Sequence, residues 1–208
     1  KAASIFEIPP FTLNFYRWSF AWLILAPFTL KEIIQKKNYI FQNIKLIFIL
    51  GITSITIFNS IVYYSLNFTQ VISGVLMIST IPVMIIFFSW IFIIVTKADF
   101  NILINLDFNK GDLWMVVAMF SWAMYSALLR KKKFDLSQTS LLEVIISAGL
   151  ILLLPAYLIE MYLGFNLSVN IPFVLTLSYV VLFPGLASFI CWIKGISIIG
   201  SNRSGIFL

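Results

Sequence analysis

The 208-residue sequence contains no histidine and only one cysteine, and these absences exclude much catalytic chemistry. Histidine is the commonest metal ligand and the base of Ser-His and Cys-His nucleophile pairs. Cys191 lies in an apolar run and has no second cysteine with which to form an intrachain disulfide or a zinc knuckle. The nine glycines are scattered and form no phosphate-binding loop or dinucleotide fingerprint. We therefore expect no catalytic residue, no metal site and no cofactor.

Charge is also scarce, since charged residues make up 11% of the chain and hydrophobic residues 61%, with a mean hydropathy of +1.03. Twenty helical residues rise about 30 Å, the thickness of the hydrocarbon core of a bilayer. Six apolar segments have about this length: Phe11–Leu30, Ile44–Leu66, Val71–Thr96, Leu113–Leu129, Leu141–Leu163 and Phe173–Ile199. The sequence predicts an all-α polytopic membrane protein that has the lipid bilayer as its surroundings.

The net charge of +6 is concentrated in two short clusters beside predicted helix ends. The first cluster contains Lys31, Lys36, Lys37 and Lys45, and the second contains Arg130, Lys131, Lys132 and Lys133. This pattern is typical of cytoplasmic loops and favours membrane orientation over nucleic-acid binding. We expect no nucleic-acid partner.

The two basic clusters conflict with a simple count of spans. Three predicted spans separate them, and an odd number of crossings would place them on opposite sides of the membrane. Val71–Thr96 is therefore a broken or re-entrant element near Pro82, or one helix is missing between Trp90 and Lys97. The second explanation is preferred because it places the acidic loop 97–112 outside the cell.

A weak internal repeat relates the two halves of the chain. At an offset of 131 residues, Asn59–Leu76 aligns with Ile190–Phe207, and Ser73-Gly74-Val75 then falls on Ser204-Gly205-Ile206. Transporters are often built from inverted repeats that show little more internal similarity than this.

Several loose motifs, in order along the chain, resemble the EamA-type permeases of the drug/metabolite transporter superfamily. They are Pro10-Phe11 with Phe15-Tyr16-Arg17-Trp18, Gly51 through Tyr63-Tyr64-Ser65-Leu66 to Ser73-Gly74, Ile81-Pro82-Val83, Lys110-Gly111-Asp112-Leu113 with Ser121-Trp122-Ala123-Met124-Tyr125 and Arg130-Lys131, and Gly195-Ile196 through Ile199-Gly200 to Arg203. The resemblance implies two inverted five-helix repeats around a central cavity. On that plan the ten-helix family fold is incompletely represented, because the first helix, the last helix and an internal helix are absent.

The resemblance also implies a domain plan and a function. Residues 1–96 are expected to form a partial first repeat, 97–112 an extracytoplasmic connecting loop, and 113–208 a partial second repeat. The implied function is an exporter or permease of small metabolites such as amino acids, working by alternating access in a bacterial inner membrane. The oligomeric state stays open.

Polar residues inside predicted spans are the candidates for substrate binding, because buried polar groups in a bilayer are costly and often face a cavity. Arg17 lies about 10 Å into its span by helical rise, either as an anion contact or as a snorkelling or paired arginine. Asn59 and Tyr63 share one helical face four residues apart. They line a cavity or form bonds between helices.

Aromatic candidates come from the second half of the chain. Trp122 and Tyr125 share a face of their predicted span, and Trp192 lies in the last one. Aromatic walls can enclose a cation or a ring, and ordinary packing is the alternative. Glu143 and Glu160 are the acids within spans, and each is either a structural partner of a nearby helix end or a proton-coupling carboxylate.

Two other classes of function stay open. A membrane-embedded lipid or glycosyl transferase would need an interfacial carboxylate, for which Asp99, Asp107 and Asp112 are the candidates. A non-transporting membrane subunit would need no site at all.

Overall fold

The computed structural model describes residues 9–66, 68, 110–164 and 171–204, and these are helical apart from short turns. The first group of elements is α1 (Pro10–Gln35), α2 (Lys37–Gln42), α3 (Ile44–Gly51), a first π-helical segment (Ile52–Phe58) and α4 (Asn59–Ser65). The second group is α5 (Lys110–Lys131), α6 (Gln138–Tyr162), α7 (Ile171–Val180), a second π-helical segment (Val181–Ala187), α8 (Ser188–Ile199) and α9 (Ser201–Ser204). Each π-helical segment continues directly into the helices on either side of it.

Four helices in the described part of the chain are long and apolar enough to cross a membrane. They are Ile44–Ser65, Leu113–Lys131, Gln138–Tyr162 and Phe173–Ile199. The prediction of an all-α polytopic membrane protein is confirmed. The predicted span Val71–Thr96 lies outside the described residues.

Helix α1, which contains the predicted span Phe11–Leu30, is not among these four. It has 26 residues, so its length matches theirs, but polar side chains lower its hydropathy. Thr12, Asn14, Arg17 and Thr29 are nevertheless buried. Helix α1 therefore directs its polar face toward neighbouring helices.

Helix α1 runs antiparallel to α6. At one end of the pair Ser140 Oγ donates to Glu32 Oε2 (2.7 Å), and at the other the backbone N–H of Thr12 donates to Glu160 Oε2 (2.7 Å). Midway, Trp22 Nε1 donates to Ser147 Oγ (2.9 Å). These bonds hold the first and second groups of helices together along the whole of α1.

Helices α3 and α6 cross at a pair of glycines. A Cβ at Gly51 would lie 2.8 Å from the Gly149 nitrogen, and a Cβ at Gly149 would lie 2.4 Å from Ile55 Cβ. Small residues at such crossings allow the backbones of membrane helices to approach closely. Here glycine is required for lack of space, since neither residue has a positive φ.

The two basic clusters lie at the same end of the protein. Lys36 Nζ donates to the Asp135 carbonyl oxygen (2.7 Å) and Oδ1 (3.1 Å), and Lys132 Nζ donates to Asn43 Oδ1. The clusters therefore lie at one end of the described helices, which agrees with their charge. The choice between a re-entrant element and a missing helix concerns residues outside the described part of the chain.

Candidate functional site

Two of the membrane-spanning helices contain a π-helical segment of seven residues near their middle. In the second segment Pro184 has no backbone N–H, so the Val180 carbonyl cannot accept a normal α-helical bond. In the first segment the hydroxyls of Thr53 and Ser54 bond back to the Leu50 carbonyl (3.2 and 2.6 Å), which competes with the backbone ladder. Such interruptions leave backbone carbonyls for other partners and are frequent at functional sites.

Side chains occupy three consecutive carbonyls of the first π-helical segment. Ser121 Oγ donates to the Thr53 oxygen (2.7 Å), Asn59 Nδ2 to the Ser54 oxygen (2.6 Å), and Asn14 Nδ2 to the Ile55 oxygen (3.0 Å). A polar group in hydrocarbon must be satisfied within the protein, and these bonds do so. The interruption thereby ties three different helices together.

Arg17 lies between the two π-helical segments and contacts both sides. Its Nη1 donates to Asn59 Oδ1 (2.8 Å) and to Tyr63 Oη (2.7 Å), both on α4. Its Nη2 donates to the carbonyl oxygen of Pro184 in the second segment (2.9 Å). One guanidinium group therefore links α1, α4 and the broken part of the last long helix.

The charge of Arg17 is buried without a negative partner among the described residues. Its side chain is 4% exposed, its bonded acceptors are neutral, and Nε has no hydrogen-bond partner. The guanidinium also lies 4.8 Å from the ring centroid of Trp18, close enough for a cation–π contact. A buried cation is costly unless it is compensated, and here neutral acceptors and the Trp18 ring provide the compensation.

An aromatic cluster lies next to this arginine. Trp122 is 5.2 Å from Tyr125, 5.1 Å from Phe189 and 5.6 Å from Trp192, measured between ring centroids. Trp192 Nε1 donates to Ser126 Oγ (3.2 Å). The rings come from α5 and α8, so the cluster joins the last long helix to its neighbour.

The aromatic cluster and Arg17 are in contact through Trp18. The Trp18 ring meets Phe189 edge to face with centroids 4.9 Å apart. Trp18 itself is fully buried. A positive charge, hydrogen-bond acceptors and aromatic faces thus lie within one continuous interior region, which is a chemistry suited to an amphipathic small molecule.

Comparisons with known proteins now identify the first part of the chain. Residues 2–100 match the EamA-like transporter family. Over 199 residues the chain is also 24% identical to a Bacillus subtilis (strain 168) protein named "Uncharacterized transporter YyaM". That alignment covers 83% of this chain and 63% of the relative, so the chain corresponds to less than two thirds of its length. No solved structure matches the chain. The EamA resemblance is confirmed for residues 2–100, and with the apolar helices it describes a multi-pass protein of a bacterial inner membrane.

The six site residues predicted from the sequence form two adjoining groups. Arg17 donates hydrogen bonds to both Asn59 and Tyr63, and Trp122 packs against Tyr125 and Trp192. Five of the six side chains are buried, and Tyr63 is partly buried. The structure brings them together as a closed interior, and their role in substrate binding stays a prediction.

Sequence reasoning missed three members of the same region as site residues: Asn14, Trp18 and Phe189. Asn14 Nδ2 donates to Ser60 Oγ (2.9 Å), and its own oxygen is buried without a partner. The available signal was spacing, because Asn14 precedes Arg17 by three residues and so shares its helical face. The Pro184 carbonyl accepts a bond from Arg17. It is a backbone group, so the residue types in the sequence do not reveal it as an acceptor.

The two intramembrane acids have different environments. Glu160 accepts bonds from the backbone N–H of Phe11 (3.2 Å) and from Thr12, and so caps the start of α1 after two prolines. Glu143 is 1% exposed, and neither of its carboxyl oxygens has a hydrogen-bond partner in the described part of the chain. The candidate transferase residues Asp99 and Asp107 lie outside the described residues, and the side chain of Asp112 does so too.

Proposed function

We propose that this chain forms part of a membrane transporter that moves small metabolites, such as amino acids, by alternating access around Arg17. The EamA-like match supports a transporter in general terms. The substrate class and the role as an exporter or permease are what the EamA resemblance implies, and the geometry of the interior supports the proposed mechanism. No cofactor is required by this mechanism.

The observation that carries the proposal is the set of bonds made by Arg17. Its guanidinium joins Asn59 and Tyr63 from the first half of the chain to the Pro184 carbonyl from the second half. Because these acceptors are neutral, a substrate carboxylate would compete well for the same donors through charge-assisted hydrogen bonds. Substrate binding would then loosen one contact between the halves, which is the coupling that alternating access needs.

The direction of the helices supports the assignment of two inverted repeats to 1–96 and 113–208, joined by 97–112. Helices α1 and α6 would be equivalent members of the two repeats, and they run antiparallel. The two π-helical segments, Ile52–Phe58 and Val181–Ala187, would also be equivalent. Broken helices at the interface between repeats are where many transporters bind their substrates.

The test is uptake of a panel of radiolabelled amino acids into membrane vesicles of both orientations that contain the protein. We compare wild type with Arg17→Gln, Arg17→Lys and the control Arg203→Gln, which removes an exposed arginine elsewhere. The proposal expects a transported substrate, loss of its transport in Arg17→Gln, partial activity in Arg17→Lys and normal activity in Arg203→Gln.

Thermal stability in detergent is measured on the same variants to separate function from folding. A folded Arg17→Gln variant that transports as well as wild type would contradict the role of Arg17. Absence of transport of any carboxylate-bearing solute by the wild-type protein would contradict the proposed substrate class.

A further inference from the structure

A cavity of about 590 Å³ opens at the end of the protein that carries the two basic clusters. It lies between the end of α5, the start of α6 and the end of α8. Its lining includes Arg130, Lys132, Lys133, Ile193, Ile196 and Gly200. A volume of this size is typical of sites for small organic ligands.

The lining has a cationic part and an apolar part. Arg130, Lys132 and Lys133 supply three positive charges, and no lining residue is acidic. The remaining lining is mostly leucine, isoleucine and phenylalanine. Such a cavity favours a molecule with an anionic group and an apolar body, because each part of it then meets its complement.

Local structure holds the cationic part in place. Helix α8 ends at Gly200, whose φ is +81°, and a Cβ there would lie 3.5 Å from Arg130 Cζ. The positive φ accounts for a glycine at the helix end, and the Arg130 guanidinium lies in van der Waals range of this position. Lys132 is anchored by Asn43 and lies 5.8 Å from the Tyr39 ring centroid, so it is fixed from the other side.

The apolar wall of the cavity adjoins the aromatic cluster. Ile193 lines the cavity, and its chain neighbour Trp192 donates to Ser126 Oγ. Beyond this bond, contacts run through Trp122 and Phe189 toward the interior. Ile193 and Ile196 belong to the same hydrophobic core as these rings, and the ring contacts continue from Phe189 through Trp18 to Arg17.

We propose that this cavity is the cytoplasmic vestibule of the transporter and that it binds small anions with an apolar body before they reach Arg17. The inference rests on the proposed function, because a vestibule serves a transport path. The cavity and the region of Arg17 are both positively charged, and neither has a cation paired with a carboxylate among the described residues. A solute passing from one to the other exchanges one set of cationic donors for another.

The same chemistry also fits the headgroup of an anionic lipid, since basic pockets between membrane helices on the cytoplasmic side bind such groups. We commit to a soluble anion because the apolar wall of the cavity belongs to the same hydrophobic core as the aromatic cluster, from which ring contacts run inward to Trp18. The experiment therefore contains an arm for each source of the anion.

The test measures direct binding of radiolabelled benzoate to the protein in nanodiscs, so it does not depend on transport. One arm uses phosphatidylcholine alone, and the second adds phosphatidylglycerol. The variants are Arg130→Gln, Lys133→Gln and their double, with Lys37→Gln as the control because Lys37 is an exposed cation on the same face outside the cavity. Benzyl alcohol serves as an uncharged probe of similar shape.

The vestibule proposal expects benzoate to bind in phosphatidylcholine and benzyl alcohol to bind more weakly. Loss of a charge-assisted bond weakens binding about tenfold for each single variant, and Lys37→Gln leaves it unchanged. Equal benzoate binding by wild type and by the double variant would overturn the proposal. Retention of phosphatidylglycerol through the same residues, without benzoate binding, would overturn the vestibule and assign the cavity to lipid.

These outcomes are separate from those of the transport test. Charge-dependent benzoate binding in a protein that transports nothing would refute the proposed function while leaving an anion site. Transport that depends on Arg17, in a protein whose cavity binds no anion, would refute only the vestibule.

Discussion

Replacement of Gly149 by alanine tests the close crossing between α6 and the helix formed by α3 and the first π-helical segment, which contains Ile55. The new Cβ would lie 2.4 Å from Ile55 Cβ and 2.6 Å from Ile55 Cγ2. Carbon atoms pack at about 3.5–4.0 Å, so relief requires a separation of about 1 Å. Rotation of the Ile55 side chain cannot provide it, because Cβ is fixed to the backbone. The helices must move apart, at a cost of about 1–3 kcal/mol.

The assay is thermal unfolding in detergent, followed by loss of monodisperse protein on size exclusion. A destabilisation of this size lowers Tm by about 3–10 °C for a chain of this length. Gly195→Ala is the matched control, because its Cβ would meet nothing closer than Ser204 Oγ at 3.4 Å. Alanine also favours a helix over glycine, so the control should be neutral or stabilising. A Gly149→Ala protein as stable as wild type would refute the crossing.

Three further predictions follow from other contacts. Glu160→Gln removes the carboxylate that accepts the first free N–H groups of α1, so Tm should fall by a few degrees, about 1 kcal/mol, and an unchanged Tm would argue against the cap. Hydrogen bonds from neighbouring serines lower the pKa of Glu32, outside the spans, to about 2, so its stabilisation is present above its ordinary pKa and is lost as pH falls toward 2. The acid-unfolding curve of Glu32→Gln should therefore lack this loss, and a curve that falls as steeply as that of wild type would contradict the prediction. Single cysteines beside Lys36 and Lys132, in a Cys191→Ser background, should label from the same side of intact cells, and labelling from opposite sides would exclude the observed contact between the clusters.

Much of the membrane architecture was accessible from the sequence, because hydropathy reports directly on span length. The predicted span Ile44–Leu66 agrees closely with the observed Ile44–Ser65. The charge pattern of the two basic clusters also predicted where they lie relative to each other. Lys36 and Asp135 are in contact, so the two basic clusters lie at the same end of the protein, as their charges indicated.

The side chains of the candidate site could be predicted from the sequence, but its backbone interruptions and backbone acceptors could not. Arg17, Asn59 and Tyr63 stood out because polar residues are rare in such spans, and the structure bonds them together. The π-helical segments were not foreseen, since a shifted hydrogen-bond ladder leaves almost no pattern in the residues. Pro184 indicated a kink, but it did not reveal that its carbonyl would accept a bond from Arg17.

The partners of the two intramembrane acids could not be read from sequence either. Both lie near predicted helix ends, where helix capping and ion pairing are equally reasonable. Glu160 reaches α1 from a helix nearly 150 residues away in the chain, and Glu143 has no partner in the described residues. Only packing of distant segments decides between these outcomes.

The central claim, that the two halves move against each other during transport, is tested most directly by joining them at the basic end. Cysteines replace Lys36 and Asp135, whose side chains meet at 3.1 Å, in a Cys191→Ser background, and a short bis-maleimide links them. The account predicts that the cross-linked protein binds but does not transport the substrate found in the vesicle assay, while either single-cysteine protein transports normally after the same treatment. Full transport by completely cross-linked protein would contradict alternating access between these halves.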